Sequence, residues 1–219
     1  MATSDDIKRF DRSALNDVLR IIFGTLARAI GTLLAAALVF LAGVSSSRYM
    51  VDRGSRLSTS TFGPWTHWRM SGRADADPYT RAHVAKSGAI YLSADAAGQY
   101  EARADGQGAR LHSSCDYVIE GPNANGLWWS LSVFDDRGEL INNDAARYTF
   151  TSDTIAANPD GSYIVTLGRD ARPGNWLPTG GAGRLQLMFT ILDPATGLSQ
   201  AARAERYKLL PLIRREGCS

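Results

Sequence analysis

The chain has 219 residues, 44% of them apolar, with 24 Lys and Arg against 22 Asp and Glu. That length accommodates one ordinary domain with an appendage and crowds out two globular domains. Five basic and four acidic residues fall within the first 28 positions, leaving 19 and 18 downstream. A balance this even lacks the clustered basic footprint that neutralises phosphates, so nucleic-acid binding is excluded as a leading function.

In chain order, residues 1–20 form a charged leader in which Ile7, Phe10, Leu15 and Val18 recur among Lys8, Arg9, Arg12 and Asp17. Ser4 is a candidate N-cap, and Asp5 and Asp6 suit a helix N-terminus. The segment reads equally as an amphipathic helix lying on anionic lipid or as a partly ordered charged region. From Ala29 to Ser47 the chain has 19 residues without a formal charge. As a helix that stretch spans about 28 Å, close to the hydrocarbon thickness of a bilayer. Extended back to Ile21, it predicts a transmembrane helix over 21–47, with Arg28 near one end where its stem carries the charge towards the headgroups.

Two rivals remain at this point. A buried core helix would show a polar face, which Leu33 to Val44 lacks. A cleaved signal peptide would use Val44 and Ser46 before the cut, but the charged region ahead of the apolar run is long for one. An uncleaved signal-anchor is favoured. Five basic residues before the span, against Arg48, Arg53 and Arg56 after it, put the N-terminus in the cytoplasm and the C-terminal part in the periplasm, across a bacterial inner membrane. Ala27, Gly31 and Ala35 repeat every four residues and offer a close-packing stripe for a homodimer.

Residues 48–62, rich in Ser and Thr, read as a stalk, and 63–219 as the exported domain. Asp77-Pro78 opens a short helix, with Asp77 as N-cap and Pro78 at the first helical position. After Gly88 the pattern turns to short β-type runs separated by Gly, Asn, Asp and Pro: 100–104, 117–120, 127–134, 139–141, 147–151, 162–167, 184–192 and 209–214. Leu185, Leu187, Phe189 and Ile191 alternate with polar neighbours, the mark of a half-buried strand. Trp129, Leu131 and Val133 share one side and Trp128, Ser130, Ser132 and Phe134 the other, which predicts a central strand covered on both faces. The fold class is mainly β, an antiparallel sandwich or jelly roll with one short helix, preceded by the membrane helix.

Cys115 and Cys218, the two cysteines, lie in the part assigned to an oxidising compartment and are expected to form a structural disulfide. A redox pair would sit closer, as in Cys-x-x-Cys. His67, His83 and His112 are widely separated and never at the i, i+4 spacing of paired metal ligands, so neither a metal nor another cofactor is expected. Gly180-Gly181-Ala182-Gly183 precedes a strand and lacks the Lys and helix of a phosphate loop. No Gly-x-Ser-x-Gly marks a hydrolase nucleophile. The most suggestive polar group is Asn142, Asn143, Tyr148, Arg172, Asn175 and Trp176, whose aromatic faces, amides and guanidinium suit a sugar or small polar ligand. Equally, Asn143 and Asn175 suit turn backbones, and Trp176 suits a plug at the end of the sandwich.

Tyr117, the run Trp129 to Asp135, Gly138, Leu140-Ile141-Asn142-Asn143, Tyr148, Asp160-Gly161-Ser162, Asn175-Trp176-Leu177-Pro178 and the strand from Leu187 to Pro194 together resemble the bacterial domain of unknown function 1214, from roughly Trp65 to the C-terminus. The resemblance implies a jelly-roll-like β-sandwich that often stands beside a companion domain. It implies no established reaction, so no catalytic residue carries over.

Two functions follow. The favoured one is a non-catalytic module, tethered to the membrane, that binds an envelope protein or glycan. The alternative is an envelope enzyme acting on a glycan or small polar substrate, with Asp116, Glu120 or Asp135 as acid and base.

Overall fold

The computed structural model describes residues 4–87, 90–93, 95–124, 127–192 and 205–218, with side chains from residue 16 onward. By contacts the chain divides into residues 1–50 and residues 51–219.

The first unit is carried by helix α1, Ser4–Arg53. Its stretch Asn16–Arg53 is long and apolar enough to cross a membrane. Leu33, Val39 and Phe40 are each at least 70% exposed, so the rival reading of a buried core helix has no support. Hydroxyls within the span are satisfied locally: Thr25 Oγ1 donates to the Ile21 carbonyl at 3.0 Å and Thr32 Oγ1 to the Ala29 carbonyl at 2.8 Å. In hydrocarbon, where water cannot accept these bonds, such back-bonding removes the cost of a polar side chain.

In the second unit, strands β1 (Thr59–Phe62), β2 (Trp65–Trp68) and β3 (Ala97–Ala102) enclose helix α2 (Pro78–Ser87) in sequence. They are followed by β4 (Cys115–Gly121), β5 (Trp129–Asp135), β6 (Thr149–Thr151), β7 (Tyr163–Gly168), β8 (Trp176–Pro178), β9 (Leu185–Leu192) and β10 (Leu212–Cys218). Six strands form one sheet in the order β1-β2-β3-β9-β5-β6, and four form another in the order β10-β4-β7-β8. The alternation read in β9 and β5 holds: Leu185, Leu187, Phe189 and Ile191 pack inward with Trp129, Leu131 and Val133, all nearly inaccessible. The second sheet answers with Tyr117, Ile119, Val165, Leu167, Leu177 and Ile213. Trp129 joins the layers, stacking on Tyr163 at 4.2 Å between centroids and tilting against Phe189 at 5.7 Å, which in turn meets Trp65 at 6.0 Å. Aromatic pairs in such arrangements add about 0.5–1.5 kcal/mol each beyond the area they bury.

Several expectations need correction. The residues expected as a stalk, 48–62, instead hold the last turns of α1 and strand β1, whose backbone pairs with β2 from Thr59↔Trp68 to Phe62↔Trp65. Residues 139–141 form no strand; Leu140 makes an isolated bridge to Phe134 beyond the Asp135–Gly138 turn. The four-stranded sheet is mixed, because β8 runs parallel to β7. Strand β5 is covered on its second face only in part, since Trp128 is 37% exposed just ahead of it. The short helix stands as read: Asp77 Oδ1 accepts the backbone N–H groups of Tyr79 and Thr80 at 3.0 and 3.1 Å.

Cys115 and Cys218 stand opposite each other in the β4–β10 ladder and are joined by a disulfide across 103 residues of sequence. The cross-link ties the final strand to the centre of its sheet. In the pair Gly121↔Tyr163 the tyrosine ring lies over the glycine, so that a Cβ there would fall 1.9 Å from Tyr163 Cζ. Glycine is required by this close approach, not by its backbone angles.

Two outcomes test these contacts. The double variant C115S/C218S is expected to lose about 2–4 kcal/mol of stability, read as a lower denaturant midpoint for loss of β-sheet circular dichroism. Gly121→Ala is expected to cost about 1–3 kcal/mol through overpacking, and adding Tyr163→Leu should recover part of that loss in the same assay.

Candidate functional site

The six-stranded sheet turns its second face away from the core, and over the strands β3, β9 and β5 that face forms the floor of a cleft of about 730 Å³. Register fixes the floor: Glu101 lies opposite Met188, and Gln186 opposite Phe134. These residues alternate with the core positions Tyr100, Leu187 and Val133, so one pleated sheet supplies core on one side and cleft on the other. The walls come from α2, Ile90 and Tyr91, the turn at Asp136–Gly138, and Asp52 and Arg53 in the last turn of α1, which belongs to the second unit.

One end of the cleft is organised by a buried carboxylate. Glu101 is 8% exposed. The Tyr91 hydroxyl donates to its Oε1, His83 Nε2 stands 3.8 Å from that same oxygen, and Arg103 Nη2 stands 3.7 Å from Oε2. His83 is held by Nδ1 at 2.9 Å from the Val51 carbonyl, an acceptor, so that nitrogen carries the proton and Nε2 faces Glu101. The imidazole also stacks on Trp68, 4.0 Å between centroids at 18°. Burial alone would raise the Glu101 pKa, but the nearby His83, the hydrogen bond from Tyr91 and the Arg103 charge bring it below its ordinary value. Tyr91 is pushed far up, first by burial and then by the Glu101 charge, and so stays a donor. A second cavity of about 300 Å³ shares Glu101, Arg103 and His83 with the first and adds Arg110.

The polar group expected from the sequence is placed differently. Asn143 Nδ2 donates to the carbonyls of Ile141 and Arg147, and its Oδ1 accepts the Arg147 N–H. Asn175 Nδ2 donates to the carbonyls of Ala156 and Ile164, and its Oδ1 accepts the Ala156 N–H at 2.8 Å. Both amides are thus spent on backbone. Arg172 pairs with Asp116 at 2.7 Å, and Trp176 Nε1 donates to the Gly168 carbonyl at 3.1 Å. Asn142 is exposed and Tyr148 half-buried, and none of the six lines the cleft.

The carboxylates nominated for acid and base chemistry are also committed. Asp116 holds Arg172, Glu120 holds Arg214 at 2.6 Å, and Asp135 accepts the N–H groups of Arg137 and Glu139. Of the histidines, His67 Nδ1 meets the Gln99 carbonyl at 2.8 Å and His112 Nδ1 meets Ser114 Oγ at 2.9 Å. His83 is the one of the three that reaches the cleft, and the sequence reading missed it together with Tyr91 and Glu101. A single signal was available: Glu101 interrupts the apolar run Tyr100-Glu101-Ala102 on the face opposite the core.

Because the folded Glu101 pKa lies below its ordinary 4.5, its ionised form contributes stability above that pH, and the contribution is lost as pH falls through the folded value. Glu101→Gln is therefore expected to be less stable than the native chain by about 1–3 kcal/mol near pH 7, with the difference narrowing as pH drops below about 4. Thermal melts of both proteins across that range check it; a difference constant with pH would refute the ionised carboxylate.

Three comparisons bear on kinship. A family model, "Protein of unknown function (DUF1214)", matches residues 96–196, a narrower span than the resemblance suggested. No curated protein matches the chain. Among solved structures, the VPA0106 protein from Vibrio parahaemolyticus aligns with a TM-score of 0.51 and 22% identity over 68% of this chain, which spans 39% of that protein's length. An uncharacterised protein from Burkholderia cenocepacia aligns with a TM-score of 0.38 and 18% identity, over 56% of this chain and 30% of the other. The VPA0106 likeness supports the fold alone, two sheets with a short helix. With β3 to β9 inside the matched span, residues 96–196 of the second unit are similar to the DUF1214 family.

Proposed function

We propose that this chain is a single-pass membrane-tethered binding module that performs no chemistry of its own. The cleft on the outer face of the six-stranded sheet is the observation that carries the reading. About 730 Å³ lies within the range of small-molecule sites, and the lining mixes apolar Ile90, Phe134 and Met188 with amides Gln99 and Gln186. Glu101 accepts from Tyr91 and is flanked by His83 and Arg103, which suits a rigid recognition surface better than a group released to move protons.

Placement follows from three supports. The apolar stretch of α1 is long enough to span a bilayer, the basic residues before the uncharged run 29–47 outnumber those just after it, and the Cys115–Cys218 disulfide suits an oxidising compartment. Together they favour an N-terminus in the cytoplasm and the β unit in the periplasm of a bacterial inner membrane. In this reading an envelope component small enough for the cleft is the ligand.

The enzyme reading draws on one arrangement: His83 Nε2 lies 3.4 Å from the Tyr91 hydroxyl and 3.8 Å from Glu101. It would make His83 the base, since the carboxylates first nominated for that role are held in ion pairs and a turn.

Native mass spectrometry of the full chain, extracted from membranes in a non-ionic detergent, tests the binding reading. The native protein is expected to carry an additional small-molecule mass that is lost in Met188→Trp, a change that fills the cleft from its floor. Identical spectra for the two proteins would overturn it.

A further inference from the structure

The cleft's charges are distributed unevenly in depth. Arg53, Lys86, Arg103 and Arg137 line it against Asp52, Glu101 and Asp136, an excess of one positive charge. Two of the three acids are committed, whereas Asp136 is exposed on the turn beside Arg137. Asp52 pairs with Lys86, while the Glu101 side chain is 9% exposed and accepts the Tyr91 hydroxyl. The guanidinium groups face outward: the Arg103 side chain is 50% exposed, although 3.7 Å from Glu101, and that of Arg137 is 75% exposed, although 3.3 Å from Asp135. Each has one carboxylate neighbour and a side chain at least half exposed. Across the shared wall, the smaller cavity is lined by Arg53, Arg103 and Arg110 against Asp52 and Glu101, the same excess again. An entering ligand therefore meets cationic hydrogen-bond donors at the rim and the apolar surfaces of Phe134 and Met188 on the floor, with Gln186 between them.

We infer that the cleft takes a small amphiphilic anion, its acid group held by Arg103 and Arg137 and its apolar body lying over Phe134 and Met188. Guanidinium suits this role because its planar fork binds a carboxylate or phosphate with two parallel hydrogen bonds. The buried Glu101 acts as a positioning residue: it keeps Arg103 in place at the wall between the two cavities. A cationic amphiphile would face the same arginines, with Glu101 on the floor already engaged and, among the described residues, Asp136 on the turn as the one lining acid outside an ion pair. The inference rests on the cleft being a binding site and adds the sign of its ligand.

The chain contains four methionines, one of them on the cleft floor. Methyl-¹³C methionine labelling of the full chain in a non-ionic detergent thus gives a local reporter, Met188, identified by its loss in Met188→Leu. Three probes of matched shape are titrated: 4-phenylbutyrate, 4-phenylbutylammonium and 4-phenylbutanol. The expected result is a saturable shift of the Met188 signal with 4-phenylbutyrate, at concentrations at least tenfold below those needed for the other two. Arg103→Gln should weaken the 4-phenylbutyrate response by about tenfold, as expected for loss of a charge-assisted hydrogen bond, and Arg137→Gln should weaken it in the same direction. An unchanged Met188 position in the unliganded variants shows that the cleft is still formed.

The inference is overturned if the ammonium probe binds as well as the carboxylate, or if both arginine variants respond like the native chain. Should the alcohol bind as tightly as the carboxylate, the cleft stands as a binding site and the anion inference alone fails. No response to any of the three removes both.

Discussion

The β unit depends on Trp129 being almost fully desolvated between two sheets. Its indole stacks on Tyr163 from the four-stranded sheet and tilts against Phe189 in its own sheet. Those contacts set the separation of the layers and the register of β5 against β9. Register has consequences beyond the core, because residues on a strand alternate between faces. Once Trp129, Leu131 and Val133 are committed inward, Ser132 and Phe134 point outward, and β9 likewise presents Gln186 and Met188. A slip of one residue would exchange the two sets. The cleft floor is thus a by-product of core packing, fixed as firmly as the core itself.

On this floor the helix–sheet contact brings distant parts of the chain together. Asp77 caps α2 and so places His83, two turns later, over Trp68 and beside Glu101. The imidazole reaches back to the Val51 carbonyl at the end of α1. Residues 51, 83, 91 and 101 therefore share one polar cluster. Its cost of burial is offset because nearly every donor has an acceptor.

The sequence made the strands with strong alternation readable, and β9 and β5 were found nearly residue for residue. Strands β1 and β2 were not legible in the same way. Ser58 to Thr61 has the composition of a linker, and it becomes a strand because Trp65 and Trp68 on its neighbour bury against the rest of the fold. Strand β8 has three residues and a parallel partner, so its pairing depends entirely on tertiary context. The polar site was misplaced for a related reason. Asn143 and Asn175 have the chemistry of ligand contacts and of backbone turns alike, and only the structure shows the carbonyls they serve. Glu101, His83 and Tyr91 each looked ordinary alone, since nothing in their spacing records that a helix folds across the sheet.

The disulfide has a consequence for the lifetime of the molecule. It closes a covalent ring that contains β4 to β10, so the fold from Cys115 to Cys218 has no free chain end within it. A protease that cuts once anywhere inside that ring opens it without releasing a fragment. Both pieces stay attached through sulfur to strands that still pair. The nicked protein would keep its mass and much of its sheet until a reductant arrived.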